Sequence, residues 1–252
     1  MWLILTETHD PCSRWLIDGL TRRTDRPVLG LTADDLARAR HWEHRVEVGR
    51  SFSRLRLDSD RDVSSAEVTG MVNRLVRPPA QLLHKVRPED RTYSAQEWAA
   101  LCISWLHSFR GPILNPVSPG GLSGPYRHPL EWLVLARRAG LATTQPRFQS
   151  TQSVRDYFTA PSHEPDEQSL WVIGPRVIAT HGPAPDAATT TAARKLASLA
   201  AMPLLELRGR RRDSGWTLHS ANPWPDLRPA GEPLLDALAE SLAGTPPTPI
   251  LL

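Results

Sequence analysis

The sequence predicts an α/β fold, with a parallel sheet in the N-terminal half and an α+β arrangement in the C-terminal half. Three observations carry this. The apolar run Trp2–Thr6 is followed by an amphipathic stretch and a second apolar run, Pro27–Leu31, the β-α-β order of a parallel sheet. The Gly/Pro-rich stretch Ser118–Pro125 breaks the chain near its middle. Beyond it, two pairs of short apolar runs read as hairpins and alternate with helical stretches. With 252 residues, the chain is long enough for one or two domains with a real core.

Each element follows in order. Asp10-Pro11 starts a helix running to about Arg22, with Trp15, Leu16, Ile17 and Leu20 apolar. Thr32-Ala33-Asp34-Asp35 reads as a capping box ahead of Leu36. His44–Val48 and Phe52–Leu57 alternate apolar and polar, the period of half-buried strands, and Val68–Leu75 is a further strand candidate. Ser94 opens an amphipathic helix to about Phe109 that buries Trp98, Leu101, Trp105 and Leu106. Pro112–Pro116 reads as a strand, and His128–Arg138 as a helix stopped at Gly140. Ser150–Ser169 is polar and weakly patterned. Leu170–Ile173 and Val177–Thr180 flank a Gly174-Pro175 turn. Asp186–Met202 is an Ala- and Thr-rich helix. Leu204–Leu207 and Trp216–Ser220 form the second hairpin around an Arg-rich turn, and Glu232–Leu242 is the last helix. The expected division is residues 1–119, residues 120–244 and an extended Pro-rich tail, residues 245–252.

Composition narrows the function. Of 30 basic residues only Lys85 and Lys195 are lysines, and the net charge of +3 is too small to specify nucleic acid. Cys12 and Cys102 make neither a disulfide framework nor a closely spaced metal-binding pair. No stretch reaches membrane-span length and the N-terminus lacks a basic signal-peptide region, so a cytoplasmic protein with no membrane partner is expected.

Five segments, in the same order along the chain, resemble the ATP-grasp superfamily, in particular its branch acting in ribosomal-peptide and natural-product biosynthesis. They are Met71-Val72-Asn73-Arg74-Leu75, Pro112-Ile113-Leu114-Asn115-Pro116 after the Trp98 helix, Trp132 through Ala139-Gly140-Leu141 and on to Thr143-Thr144-Gln145-Pro146, Val172-Ile173-Gly174-Pro175-Arg176-Val177-Ile178-Ala179, and Asn222-Pro223-Trp224-Pro225-Asp226-Leu227. The resemblance implies a pre-ATP-grasp, Rossmann-like N-terminal sheet and a trimmed α+β half resembling the ATP-grasp core.

It also implies chemistry. Enzymes of this superfamily join a carboxylate to a nucleophile through an acyl phosphate, using cations on the ATP phosphates and acidic Mg²⁺ ligands. Their phosphate-binding lysines lie on a lid before the first hairpin. Here the corresponding interval, Phe148–Leu170, is about twenty residues and has neither lysine nor glycine; Arg155 is its phosphate-binding candidate. Of the metal ligands, Glu206 matches the first acid and Asn222 the Asn of an E-x-N motif, whose acid is replaced by Ser220; Asp226 is the remaining candidate. The expectation is a degenerate ATP-grasp-like protein that does not hydrolyse ATP alone and binds a substrate, a peptide or a catalytic partner. Tyr126, Arg127 and His128 are its cleft candidates, and a second copy of the chain is a further candidate partner. ATP and Mg²⁺ are cofactors only under the alternative, an active ATP-dependent carboxylate–amine or carboxylate–thiol ligase.

Other signals carry less. Arg210 and Arg211, within Arg208–Arg212, are phosphate candidates and support the non-enzyme alternative, a basic nucleic-acid or phosphate-binding module, although no aromatic residue interleaves the cluster. His41 and His44 would share a face only on a helix. Cys12, near a helix start, lacks an identifiable base.

Overall fold

Leu3, Leu5, Leu31 and Met71 belong to one apolar cluster and Ile4 and Val72 do not, as the two-residue period of a strand requires. The architecture comes from a computed structural model, which describes residues 1–79, 83–145, 167–212 and 215–244. The chain forms two units. One comprises Met1–Pro125 and the chain from Leu238, the other Tyr126–Ala237.

In the first unit, β1 (Trp2–Thr6), helix α1 (Ser13–Thr21) and β2 (Val28–Thr32) form the β-α-β start, with β1 and β2 parallel and Trp2 opposite Val28. Thr32 caps α2 (Ala33–Ala37) through the capping box read from the sequence: its hydroxyl accepts from the Asp35 N–H, and Asp35 accepts from the Thr32 N–H. Next come β3 (His41–Glu47), β4 (Arg50–Arg56) and the short β5 (Asp62–Ser64), an antiparallel sheet in that order. Then β6 (Gly70–Asn73) pairs parallel to β1 on the side away from β2, and β7 (Ile113–Leu114) follows α3 (Arg91–Ser108). The parallel order is β2-β1-β6-β7.

Helix α3 and the small sheet cover one face of the parallel sheet. Leu55, Leu57 and Val63 of the small sheet join Leu3, Leu5 and Met71, together with Cys102, Trp105 and Leu106 of α3. Trp42 packs edge-on against Trp98 and Trp105, with ring centroids 5.6 and 5.1 Å away. His41 and His44 lie on a strand, where a spacing of three puts them on opposite faces, so the shared face that a helix would provide does not form. His44 hydrogen-bonds Ser53 and Ser104, each at 2.8 Å.

In the second unit, α4 (Pro129–Ala139) ends at Gly140, whose φ of 97° is the left-handed cap expected of a glycine there. The short β8 (Ala142–Thr143) follows; β9 (Glu167–Ile173) and β10 (Arg176–Thr180) make the first hairpin; Asp186 caps α5 (Ala187–Ala200); β11 (Leu204–Arg212) and β12 (Gly215–Asn222) make the second hairpin; and α6 (Gly231–Ala243) runs from this unit back into the first. The sheet order is β10-β9-β11-β12-β8. The Arg-rich segment is not a turn: β11 extends through Arg212, because each of Arg208, Arg210, Arg211 and Arg212 has a ladder partner on β12. The lid interval falls mostly on residues 146–166, and the tail is residues 245–252; both lie outside the described residues.

Candidate functional site

The two faces of the second sheet differ in chemistry. Leu170, Val172, Leu205, Leu207, Trp216 and Leu218 pack with Trp132, Leu133, Ala136 and Leu196 of α4 and α5. Alternation sends Ser169, Trp171, Glu206 and Arg208 to the opposite face, and strand register adds Thr180 opposite Ser169, Ser220 opposite Arg208 and Asn222 opposite Glu206.

On β12, strict alternation would place Leu218, Ser220 and Asn222 on one face. A bulge prevents it: Arg208 pairs with Ser220 but Gly209 with Leu218, so His219 is skipped and the side-chain parity reverses. Leu218 and Trp216 therefore meet the helices while Ser220 and Asn222 join Glu206. Gly209 is required at this irregularity, since a Cβ there would lie 2.3 Å from the Thr217 carbonyl oxygen and 2.6 Å from the Trp216 ring.

Glu206 lies among the polar residues of this opposite face, which also carries the buried Trp171, Ile173 and Leu204, and its side chain is only 5% exposed. Its Oε1 accepts from Ser169 Oγ at 2.8 Å and from Arg208 Nε at 3.0 Å, and its Oε2 accepts from Asn222 Nδ2 at 3.3 Å. Asn222 Oδ1 in turn accepts from the Trp224 N–H. Burial opposes the charge on Arg208, but the Glu206 hydrogen bond and the negative field of Glu206 and Glu167 outweigh it and hold the guanidinium above its ordinary pKa. Arg208 is the residue that sequence reasoning passed over in favour of its neighbours; the available signal was an E-x-R spacing on one strand, which puts acid and base on the same face.

The other candidates divide plainly. Asp226 accepts from the Arg228 backbone N–H at 3.1 Å and from Arg228 Nη2 at 2.5 Å. Arg127 donates to the Ala200 carbonyl at 3.2 Å, at the end of α5, and lies 5.9 Å from the Trp132 ring centroid. The His128 ring accepts from the Leu130 N–H and Glu131 returns a bond to the His128 N–H, a capping box at the start of α4. Tyr126 is 72% exposed. Arg211 reaches the Ala184 carbonyl at 3.4 Å, and Arg210 stands opposite Thr217 and Glu167. Arg155 lies outside the described residues. Cys12 is fully buried, and burial pushes the Cys102 thiol up to about 12.

A hard divalent cation needs several charged oxygens with lone pairs to spare. This face offers Glu206, whose two oxygens already accept three hydrogen bonds, one of them from a guanidinium, and Glu167, two positions before Ser169 on β9, along with a neutral serine and a carboxamide. Among the described residues no group of three or more His, Cys, Asp or Glu side chains gathers to hold a metal. The donor set does not fit Mg²⁺. Nor is any helix among the described residues long and apolar enough to cross a membrane.

No protein-family model matches the sequence, and no curated protein matches it. Solved structures do. The macrocyclase MdnB from Microcystis aeruginosa MRC is 15% identical, with a TM-score of 0.67 and coverage of 96% of this chain and 98% of that one. The macrocyclase MdnC from the same organism, bound with its precursor peptide MdnA, is 14% identical with a TM-score of 0.68 and the same coverage. A RiPP-associated ATP-grasp ligase from Chryseobacterium gregarium, in complex with ADP and a leader and core peptide, is 10% identical with a TM-score of 0.70 and 99% coverage of both chains. At such identities the likeness speaks for the path of the backbone, and over nearly its whole length this chain has the fold of the ATP-grasp ligases.

Proposed function

We propose that this protein binds a peptide or a catalytic partner in a biosynthetic pathway and does not hydrolyse ATP by itself. The observation that carries the proposal is the occupied Glu206 carboxylate. Phosphoryl transfer from ATP needs divalent cations to neutralise charge on the phosphates. Among the described residues, the buried acid of the face that would hold them, Glu206, is engaged by Arg208, Ser169 and Asn222. The peptide side of the reading is supported by the fold shared with MdnC and with the Chryseobacterium gregarium ligase, which are seen with precursor, leader or core peptides.

Calorimetric titration of ADP with and without Mg²⁺, together with phosphate release from ATP, tests the proposal. The expected result is no gain in ADP affinity on adding Mg²⁺ and no phosphate release above a protein-free blank. A tenfold or greater gain in affinity with Mg²⁺, or turnover of ATP by the isolated chain, overturns it.

A further inference from the structure

We propose that the free edge of β2 takes an extended peptide segment of a partner as an added strand, seating an apolar side chain and, two positions along, a carboxylate side chain in the cavity beside it. The inference rests on the reading of this protein as a binder of a peptide or partner and names a surface for it within the first unit.

β2 ends the parallel sheet, and its five residues, Val28–Thr32, keep an unbroken register on β1. The strand contains no charge, proline or bulge, the devices that keep an edge from pairing further. The Trp2 N–H donates to the Pro27 carbonyl at 2.8 Å, which sets the ladder: Leu29 and Leu31 bond to β1, while Val28, Gly30 and Thr32 turn their N–H and C=O groups outward. Asp35 Oδ2 takes the Thr32 N–H at 2.8 Å. The Val28 and Gly30 groups have no strand beside them among the described residues.

A cavity of about 320 Å³ lies along this edge, walled by α2 and by the turn from Leu57 to Arg61. Leu29, Leu31 and Leu57 make part of its lining apolar. Gly30 contributes backbone alone, since a Cβ there would point to the other face, 2.2 Å from Ile17 Cδ1. Two arginines and two aspartates also line the cavity, so its charge is balanced and backbone pairing supplies the main attraction. Both aspartates are engaged: Asp35 by Thr32, and Asp58 by Arg40 Nε at 3.0 Å. Arg38 lies 3.6 Å from Asp34. Arg61 has no ion pair among the described residues and is the cation left for a ligand carboxylate. Side chains on one face of a strand recur every two residues, so an added strand sets one against the leucines and the next against Arg61. A single extended strand fits between these walls. A second folded copy, whose own β2 is flanked by the same walls, meets them before the edges can pair.

The test is titration of the isotope-labelled full chain with the N-acetylated, C-amidated heptapeptide TVTETVT, read by calorimetry and by the NMR amide signals of Val28 and Gly30. The expected result is a dissociation constant below about 1 mM, with both signals moving. The same peptide N-methylated at every residue cannot donate to an edge and is expected not to bind. Arg61→Gln is expected to weaken binding about three- to fivefold, the size of an exposed ion pair, and to leave binding of the glutamine peptide TVTQTVT unchanged. Ser59→Trp, at an exposed position of the cavity wall, is expected to abolish binding while circular dichroism stays native. Absence of binding at about 1 mM peptide, unmoved Val28 and Gly30 signals, binding of the N-methylated peptide, or Arg61 and Ser59 variants that bind as the unmodified protein does, each overturns the inference. So does a concentration-dependent dimer in sedimentation that moves the same two signals, which would make a second copy the occupant. The proposed function is tested separately, by ADP titration and phosphate release, and survives failure here.

Discussion

Asp10 follows β1 and Arg74 follows β6, so their ion pair ties together the ends of two parallel neighbours that are distant in sequence. Arg74 Nε donates to Asp10 Oδ2 at 2.6 Å and Nη2 to Oδ1 at 3.3 Å, with the side chains 7% and 6% exposed. Asp10 Oδ1 also accepts from the Cys12 N–H at 2.9 Å, and Arg74 Nη1 is buried without a partner. Asp10→Ala therefore leaves a buried guanidinium with no counter-ion. Losing one member of a buried pair costs about 3–5 kcal/mol, whereas an exposed pair contributes about 1 kcal/mol or less. The first unit has about 140 residues, and unfolding entropy of roughly 2 cal/mol/K per residue makes this a fall of roughly 10–17 °C in its midpoint. Scanning calorimetry reads it directly. Arg40→Ala, which removes two exposed pairs, with Asp58 and Asp60, is the control and is expected to lower the midpoint by no more than about 7 °C, about 1 kcal/mol or less for each pair. The double variant Asp10→Leu/Arg74→Met is expected to recover most of the loss, because no buried charge remains. If Asp10→Ala falls no further than the Arg40 control, the argument from burial is wrong.

Three further outcomes are expected. His44 is held below the usual imidazole pKa, first by burial, against a smaller opposing effect of the Phe52 backbone. The unfolded chain then takes up a proton that the folded one resists, so this contribution to stability is complete above about pH 6.5 and declines as the pH falls; urea midpoints at pH 7 and pH 5 should show a smaller difference in His44→Gln, and equal differences would refute the assignment. Gly209→Ala should destabilise the second unit by about 2 kcal/mol or more, since a Cβ would collide with the Thr217 carbonyl and the Trp216 ring; an unchanged thermal midpoint would show that the bulge does not need glycine. Cys12 and Cys102 are both buried, so a thiol reagent at pH 8 should label neither until denaturant is added, and stoichiometric labelling of the native protein would contradict that burial.

Much of the fold is legible along the chain because its signals are local. The β-α-β start, the Thr32 capping box, the Gly140 stop and the Gly174-Pro175 hairpin each depend on residues within a few positions of one another, and the structure has all four. The resemblance to ATP-grasp proteins, carried by the order of five short segments, agrees with the fold that the solved structures share. The site was legible only in part. Glu206 and Asn222 were singled out and do meet. His128 and Arg127 were read as cleft residues; in the structure both hydrogen-bond at helix ends, where a side chain satisfies backbone groups that the helix leaves open.

What the sequence determined by itself was the kind and order of the elements, through periodicities of two and 3.6 and through turn and cap residues that act on their own neighbours. Only the tertiary structure decided the strand order β2-β1-β6-β7 and the bulge at Arg208/Gly209. Both arise from pairing between strands, where a skip of one residue, His219, reverses which side chains face the core. That reversal separates Ser220 and Asn222 from Leu218, two residues away from Ser220, and places them with Glu206 and Arg208. No local pattern encodes it, because the backbone of one strand gains or loses a position only in relation to another.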